Sequence, residues 1–189
     1  MKKTFIITLL LLTATFVKAQ DRPYVENFGS LYFGKCIVFG ELREGGLTRT
    51  SDFVWDAVKT SFPLGAKGNV RLRIGGRWEY FSLGDKESKM KFHYAGVPVG
   101  IFLRKGLFKI GAQCAPEYKI NARLKDTSAE SATVEHLEGV NPFRLTCEVS
   151  ASFAFVGLYA RYGATPLFKK GYDPGSGARI LTLGLMLDL

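Results

Sequence analysis

The sequence predicts an all-β protein, an eight-stranded antiparallel up-and-down transmembrane β-barrel. Three observations predict it. Apolar and polar residues alternate with period two along successive segments. The connections between those segments run long, short, long, short toward the C-terminus, the asymmetry of an outer-membrane barrel with tight turns on one side and extended loops on the other. An export signal precedes them.

That signal is read in residues 1–19. Lys2 and Lys3 give a positive start, Phe5 to Phe16 is almost unbroken apolar chain, and Val17-Lys18-Ala19 ends in a small residue. The apolar stretch falls short of the about 20 residues of a spanning helix, and no cysteine follows to take a lipid anchor. Residues 20–189 are then expected to form one outer-membrane β-barrel domain. Without Lys2, Lys3 and Lys18 the chain keeps 23 basic against 17 acidic residues, a mildly basic balance. No later stretch reaches helix-spanning length. A membrane form must therefore be a closed barrel, the other arrangement that satisfies every backbone group in lipid.

The expected strands are 30–42, 51–62, 69–83, 91–104, 106–122, 142–155, 157–168 and 178–189. Between them lie Arg43 to Thr50 (long), Pro63 to Gly68 (fairly short), Gly84 to Met90 (long), a tight turn near Lys105-Gly106, Arg123 to Asn141 (very long), a tight turn at Val156-Gly157, and Lys169 to Gly177 (long). An even strand number puts both ends on the tight-turn side, the periplasm in outer-membrane barrels.

Alternation assigns the faces. Val70, Leu72, Ile74, Trp78 and Tyr80 share one side of the third strand, and Arg71, Arg73, Arg77 and Glu79 the other. In the fifth, Phe108, Ile110, Ala112, Cys114, Tyr118 and Ile120 oppose Lys109, Gln113, Glu117 and Lys119. The sixth sets Phe143, Leu145, Cys147, Val149, Ala151 and Phe153 against Arg144, Thr146, Glu148, Ser150 and Ser152. In the eighth, Leu181, Leu183, Leu185, Leu187 and Leu189 form the apolar row. The aromatics Phe81, Phe92, Tyr94, Phe143, Phe155, Tyr162 and Phe168 stand toward segment ends, where interfacial girdles belong.

Two features oppose this reading. Pro98 and Pro116 fall inside the fourth and fifth strands, where a barrel has no edge to hide a missing N–H, so a bulge or kink is expected there. In 51–62, Phe53, Val54, Ala57 and Val58 suit a short amphipathic helix as well as a strand, and a helix would break the count of eight.

Tyr94-Ala95-Gly96-Val97-Pro98-Val99-Gly100 before a tight turn, Lys109-Ile110-Gly111-Ala112-Gln113-Cys114-Ala115-Pro116-Glu117-Tyr118, Gly157-Leu158-Tyr159-Ala160-Arg161-Tyr162-Gly163 and the closing Arg179 to Leu189 carry a resemblance. In pattern, Val70 to Leu189 resembles the small, porin-like outer-membrane β-barrel family of Bacteroidetes-type bacteria that includes the PorT-like proteins. The resemblance implies an eight-stranded barrel and, for most members, no assigned activity. One departure is the terminal Leu189, where many such barrels end in an aromatic residue that serves the insertion machinery.

The polar phases gather Arg71, Arg73, Arg77, Lys109, Lys119, Arg144 and Arg161 with Glu79, Glu117 and Glu148 in one lumen. In a barrel of about eight strands side chains nearly fill the interior, and buried charge persists when paired. A structural, ion-paired plug is expected; the excess of bases leaves an anion-attracting vestibule as the alternative.

No catalytic, cofactor-binding or metal-binding residues are expected. The cysteines Cys36, Cys114 and Cys147 have no metal-ligand spacing. Cys114 and Cys147 read as small hydrophobes on apolar faces, with a disulfide or reactive thiol as the alternative. Ser128, Ser131, Glu130, Glu135 and His136 in the longest loop invite a hydrolase reading, but a loop of that polarity suits a surface loop better. His93, beside Tyr94 at a strand start, reads as interfacial. Basic residues that alternate with aromatics at strand period go to opposite sides, which excludes a nucleic-acid surface, and no phosphate-loop or dinucleotide motif occurs.

The expected function is a structural or interaction barrel in a Gram-negative outer membrane. Its partners would be outer-membrane lipid, the barrel-insertion machinery and envelope proteins met by the loops. The alternatives are a narrow pore or a secretion- or transport-accessory barrel, a lipid-modifying enzyme using His136, and a soluble lipocalin-like binder whose interior would be the apolar face.

Overall fold

A computed structural model describes residues 24–26, 29–40, 49–64, 68–85, 88–126, 133–172 and 177–189. The expected signal peptide, most of the Arg43 to Thr50 loop, Ser128, Glu130 and Ser131 lie outside these. Among the described residues there are eleven strands: β1 (Tyr24–Glu26), β2 (Ser30–Phe39), β3 (Arg49–Leu64), β4 (Val70–Gly84), β5 (Ser88–Gly96), β6 (Val99–Lys105), β7 (Phe108–Asp126), β8 (Thr133–His136), β9 (Phe143–Phe153), β10 (Val156–Gly163) and β11 (Arg179–Asp188).

Eight staves close into one antiparallel barrel. Neighbours in the chain are neighbours in the wall, β5 and β6 together make the fourth stave, and β11 pairs with β2 from Arg179↔Phe39 to Asp188↔Ser30. The short β1 pairs with β3 at Lys59 to Ser61, and β8 pairs with the end of β7 from Arg123 to Asp126.

Several expected boundaries need correction. The helical alternative for 51–62 fails: β3 is extended from Arg49 to Leu64, so Pro63 belongs to the strand and pairs with Arg71. Its register slips between Asp56 and Val58, which turns Lys59 and Ser61 inward in place of Val58 and Thr60. The single strand expected over 91–104 is broken at Val97-Pro98, giving β5 and β6. Pro116 faces that break. Its carbonyl accepts from the Val97 N–H (3.1 Å), and since N–H and C=O of an extended residue point the same way, its donorless nitrogen meets the gap in the wall. The turn expected at Val156-Gly157 lies at Ala154-Phe155, with Ala154 at φ 54°. The strand expected to reach 168 stops at Gly163.

The faces follow alternation. Phe33, Ile101, Ile110, Val149, Leu158, Leu183 and Leu185 are among the outward, exposed apolar residues. Phe143, Phe155 and Tyr162 are exposed as a girdle requires, but Phe81, Phe92, Tyr94 and Phe168 are buried inside the barrel. Being near a segment end does not set the face. Phe81 has the parity of Arg77 and Glu79, so it points where they point.

Candidate functional site

The interior is built in three tiers. At the tight-turn end, Lys59 and Lys109 flank Asp188, with Nζ···Oδ distances of 3.4 and 2.6 Å. Ser30 Oγ donates to the same carboxylate at 2.6 Å and receives Lys59 Nζ. Arg73 is buried beside them with its guanidinium 4.3 Å from the Phe102 ring centroid. Phe102 has room because residue 111 is glycine: a Cβ there would collide with the ring.

The middle tier holds three guanidiniums against five carboxylates, all nearly sealed from solvent. Arg77 grips Asp56 with two bonds, Nε to Oδ1 at 2.6 Å and Nη2 to Oδ2 at 3.0 Å, and reaches Glu148 at 3.3 Å. Arg144 donates twice to Glu117 Oε2, at 2.9 and 2.6 Å, and also to Glu79. Arg161 joins Glu148 (2.9 and 2.6 Å) to Asp52 (3.0 Å). Neutral donors complete the set. Gln113 Nε2 donates to Glu148 Oε1 (2.6 Å), Thr146 Oγ1 to Glu117 Oε1 (2.9 Å), and Tyr159 Oη to Asp52 Oδ2 (3.1 Å). Aromatic faces cover the cations: Phe81 and Tyr94 lie 4.8 and 4.5 Å from the Arg144 guanidinium, and Tyr32 lies against Arg77 and Arg161. Such an arrangement ties five of the eight staves, β3, β4, β7, β9 and β10, to one another because each cation joins carboxylates from different strands.

At the long-loop end the lumen becomes apolar. Val38, Phe81, Leu83, Phe92, Ala122 and Ile180 of the wall meet Leu137, Val140, Leu167 and Phe168, which come from the two connections that fold over the mouth. Asn141 Nδ2 ties them, donating to the Pro166 and Phe168 carbonyls at 2.7 and 3.0 Å. Val140 bridges Phe168, and Tyr172 stacks on Phe168 with centroids 5.2 Å apart. The tight fit over Gly139 (φ 74°) requires glycine, because a Cβ would enter the Tyr172 ring.

No protein-family model matches the chain, and no curated protein matches it. Solved structures similar to it include the following two. Ail, the attachment invasion locus protein of Yersinia pestis, aligns at 12% identity with a TM-score of 0.47, over 88% of this chain and 95% of its own. Neisserial surface protein A (NspA) aligns at 11% identity with a TM-score of 0.51, over 88% of this chain and 99% of its own. The fold is that of small outer-membrane barrels.

Of the lumen residues expected from alternation, Arg73, Arg77, Glu79, Glu117, Arg144, Glu148 and Arg161 are buried inside, and Lys109 is partly so. Arg71 is half-buried on the same inward parity, opposite Pro63 and Phe102. Lys119 is half-buried opposite Tyr94, where the β5–β7 register shifts, and forms no ion pair among the described residues. The excess of bases needs correcting. Asp52, Asp56 and Asp188 also face inward and were missed, as was Lys59. The signal for all three aspartates was present, since Asp52 and Asp56 alternate with Phe53 and Trp55 and Asp188 stands between Leu187 and Leu189. Lys59 could not be placed without the bulge.

The cysteine reading is corrected too. Cys114 and Cys147 stand opposite each other on β7 and β9, with Cα atoms 4.1 Å apart, and are joined as a disulfide on the outward face, while Cys36 is free and buried in the lumen. His136 Nδ1 lies 2.8 Å from the Ala122 carbonyl, which gives that side chain a place in the β7–β8 edge. Leu137 and Val140 contradict the picture of 123–141 as purely a polar surface loop. The soluble lipocalin-like alternative required Arg71, Arg73 and Arg77 to face water, and the burial of Arg73 and Arg77 overturns it.

Proposed function

We propose that this protein is an outer-membrane barrel of structural and interaction type, neither a pore nor an enzyme, exported with cleavage after Ala19. The observation that carries this reading is a closed wall, apolar outside, around an interior filled at every level: ion pairs below and an apolar cap above. Exposed apolar area of this extent, continuous around a barrel, exceeds what soluble monomers present to water, and lipid is the solvent that suits it. The tight turns would then lie in the periplasm and the long connections outside the cell, where they meet envelope or extracellular partners.

Electrophoresis of the refolded mature chain with and without boiling, together with cell fractionation, tests this. A heat-dependent mobility shift and recovery in the outer membrane are expected; a soluble chain without the shift refutes it. Planar-bilayer recording should be silent, and stable current steps would restore the pore reading. The secretion-accessory role rests on the PorT-like sequence resemblance alone, and unchanged secretion in a deletion strain would set it aside.

A further inference from the structure

We propose that the outward face of β3, β4, β5 and β7 at the long-loop end binds the phosphorylated headgroup of an outer-leaflet lipid. This inference rests on the membrane orientation given above. Register brings Ser51, Ser82, Lys91 and Arg123 into one row across the four strands, and Arg49, Gly84 and Lys89 into the next. Beside them, β2 parts from β3 beyond Gly34↔Asp52, leaving a cleft of about 300 Å³ lined by Lys35, Arg49, Thr50, Ser51, Ser82 and Lys89. Ser51 and Ser82 share a hydrogen bond of 2.8 Å at its floor. Among the described residues no carboxylate pairs with Lys35, Arg49, Lys89, Lys91 or Arg123, in contrast to the matched charges of the lumen.

Height decides what such a patch meets. The row before it on the same strands is Phe53, Tyr80 and His93, with Phe53 5.8 Å from Trp78 and Tyr80 4.9 Å from His93. From Val70 to Tyr80 the outward face of β4 has no charged residue. Ten residues at about 3.3 Å each and a tilt near 40° span roughly 25 Å, the height of the apolar band of such barrels. The basic groups stand two to four residues beyond the aromatic row, about 5–10 Å above the hydrocarbon edge, where lipid phosphates lie. A molecule with acyl chains against the aromatic row and phosphates among lysines, arginines and hydroxyls fits both halves. A free anion would use only one.

The test is native mass spectrometry of the refolded chain in micelles with diphosphoryl lipid A, its monophosphoryl form or phosphatidylcholine, with heat-modifiability run in parallel. Diphosphoryl lipid should be retained most, in competition with excess inorganic phosphate. At about 5-fold per basic group, Lys91→Ser with Arg123→Ser should weaken retention about 25-fold, whereas Arg104→Ser with Lys105→Ser at the tight-turn end should not. Equal retention of the three lipids, equal loss in the control pair, displacement by inorganic phosphate, or a lipid-free dimer would overturn the headgroup site while the mobility shift left the barrel intact. Absence of the shift in the parent chain would instead remove the barrel reading, and this site with it.

Discussion

Arg144→Met is the most informative perturbation of the lumen. The guanidinium sits with 3% of its side chain accessible, donates twice to Glu117 and once to Glu79, and lies over Phe81 and Tyr94. Removing it leaves two carboxylates in a sealed tier, and breaking a buried pair from one side costs about 3–5 kcal/mol. Glu79 keeps Arg161 at 3.6 Å and Glu117 keeps only the longer contact to Arg77 at 3.9 Å; Glu117 also loses two bonds against one for Glu79, so most of the loss falls on Glu117. If that is the origin, adding Glu117→Gln should recover about half of it, because Gln retains the acceptor for Thr146 without the charge. The triple change Arg144→Met, Glu79→Gln, Glu117→Gln should return to within about 1–2 kcal/mol of the parent. Urea unfolding in detergent, followed by the emission of Trp55 and Trp78, measures each step. A loss under about 1 kcal/mol for Arg144→Met, or strictly additive losses in the series, would refute the claim that paired charge holds the staves together.

Four further outcomes are expected. Val149→Arg, in the middle of β9 and 59% exposed, should cost about 2–4 kcal/mol if that face meets lipid; a neutral effect in the same refolding titration would argue for water there. Phe168→Ala should destabilise the mouth by about 3–5 kcal/mol yet leave bilayers silent, since the ionic tiers still close the lumen, and current steps would show that the apolar cap is the sole barrier. Without reductant, thiol labelling of the unfolded chain should modify Cys36 alone; Cys114→Ser with Cys147→Ser should lower stability by up to about 3–4 kcal/mol, the loop-closure value for a separation of 33 residues. Gly111→Val should block refolding by striking Phe102, and Phe102→Ala in the same chain should restore the mobility shift.

Much of this protein is decided by period two. The eight staves, the tight turn near Gly106, the lipid-suited row Leu181 to Leu187 and the inward row Arg71 to Glu79 follow from alternation alone, because a pleated strand sends successive side chains to opposite faces. The same rule holds for Phe81, whose parity with Arg77 outweighs its nearness to a strand end. Local chemistry also marks the break at Pro98, where a missing donor cannot continue a closed wall.

Pairing was out of reach for the sequence. Which carboxylate each arginine takes depends on register and stagger around the closed wall, set by contacts between residues as distant as Arg161 and Asp52. A single bulge after Asp56 moves Lys59 from the outer phase that it would share with Phe53 and Trp55 to the lumen. Cys114 and Cys147 become partners because β7 and β9 align them, and Leu167 and Phe168 become core because their connection folds back over the mouth. Sequence period fixes a side chain's face within one strand; closure of the sheet fixes what stands across from it.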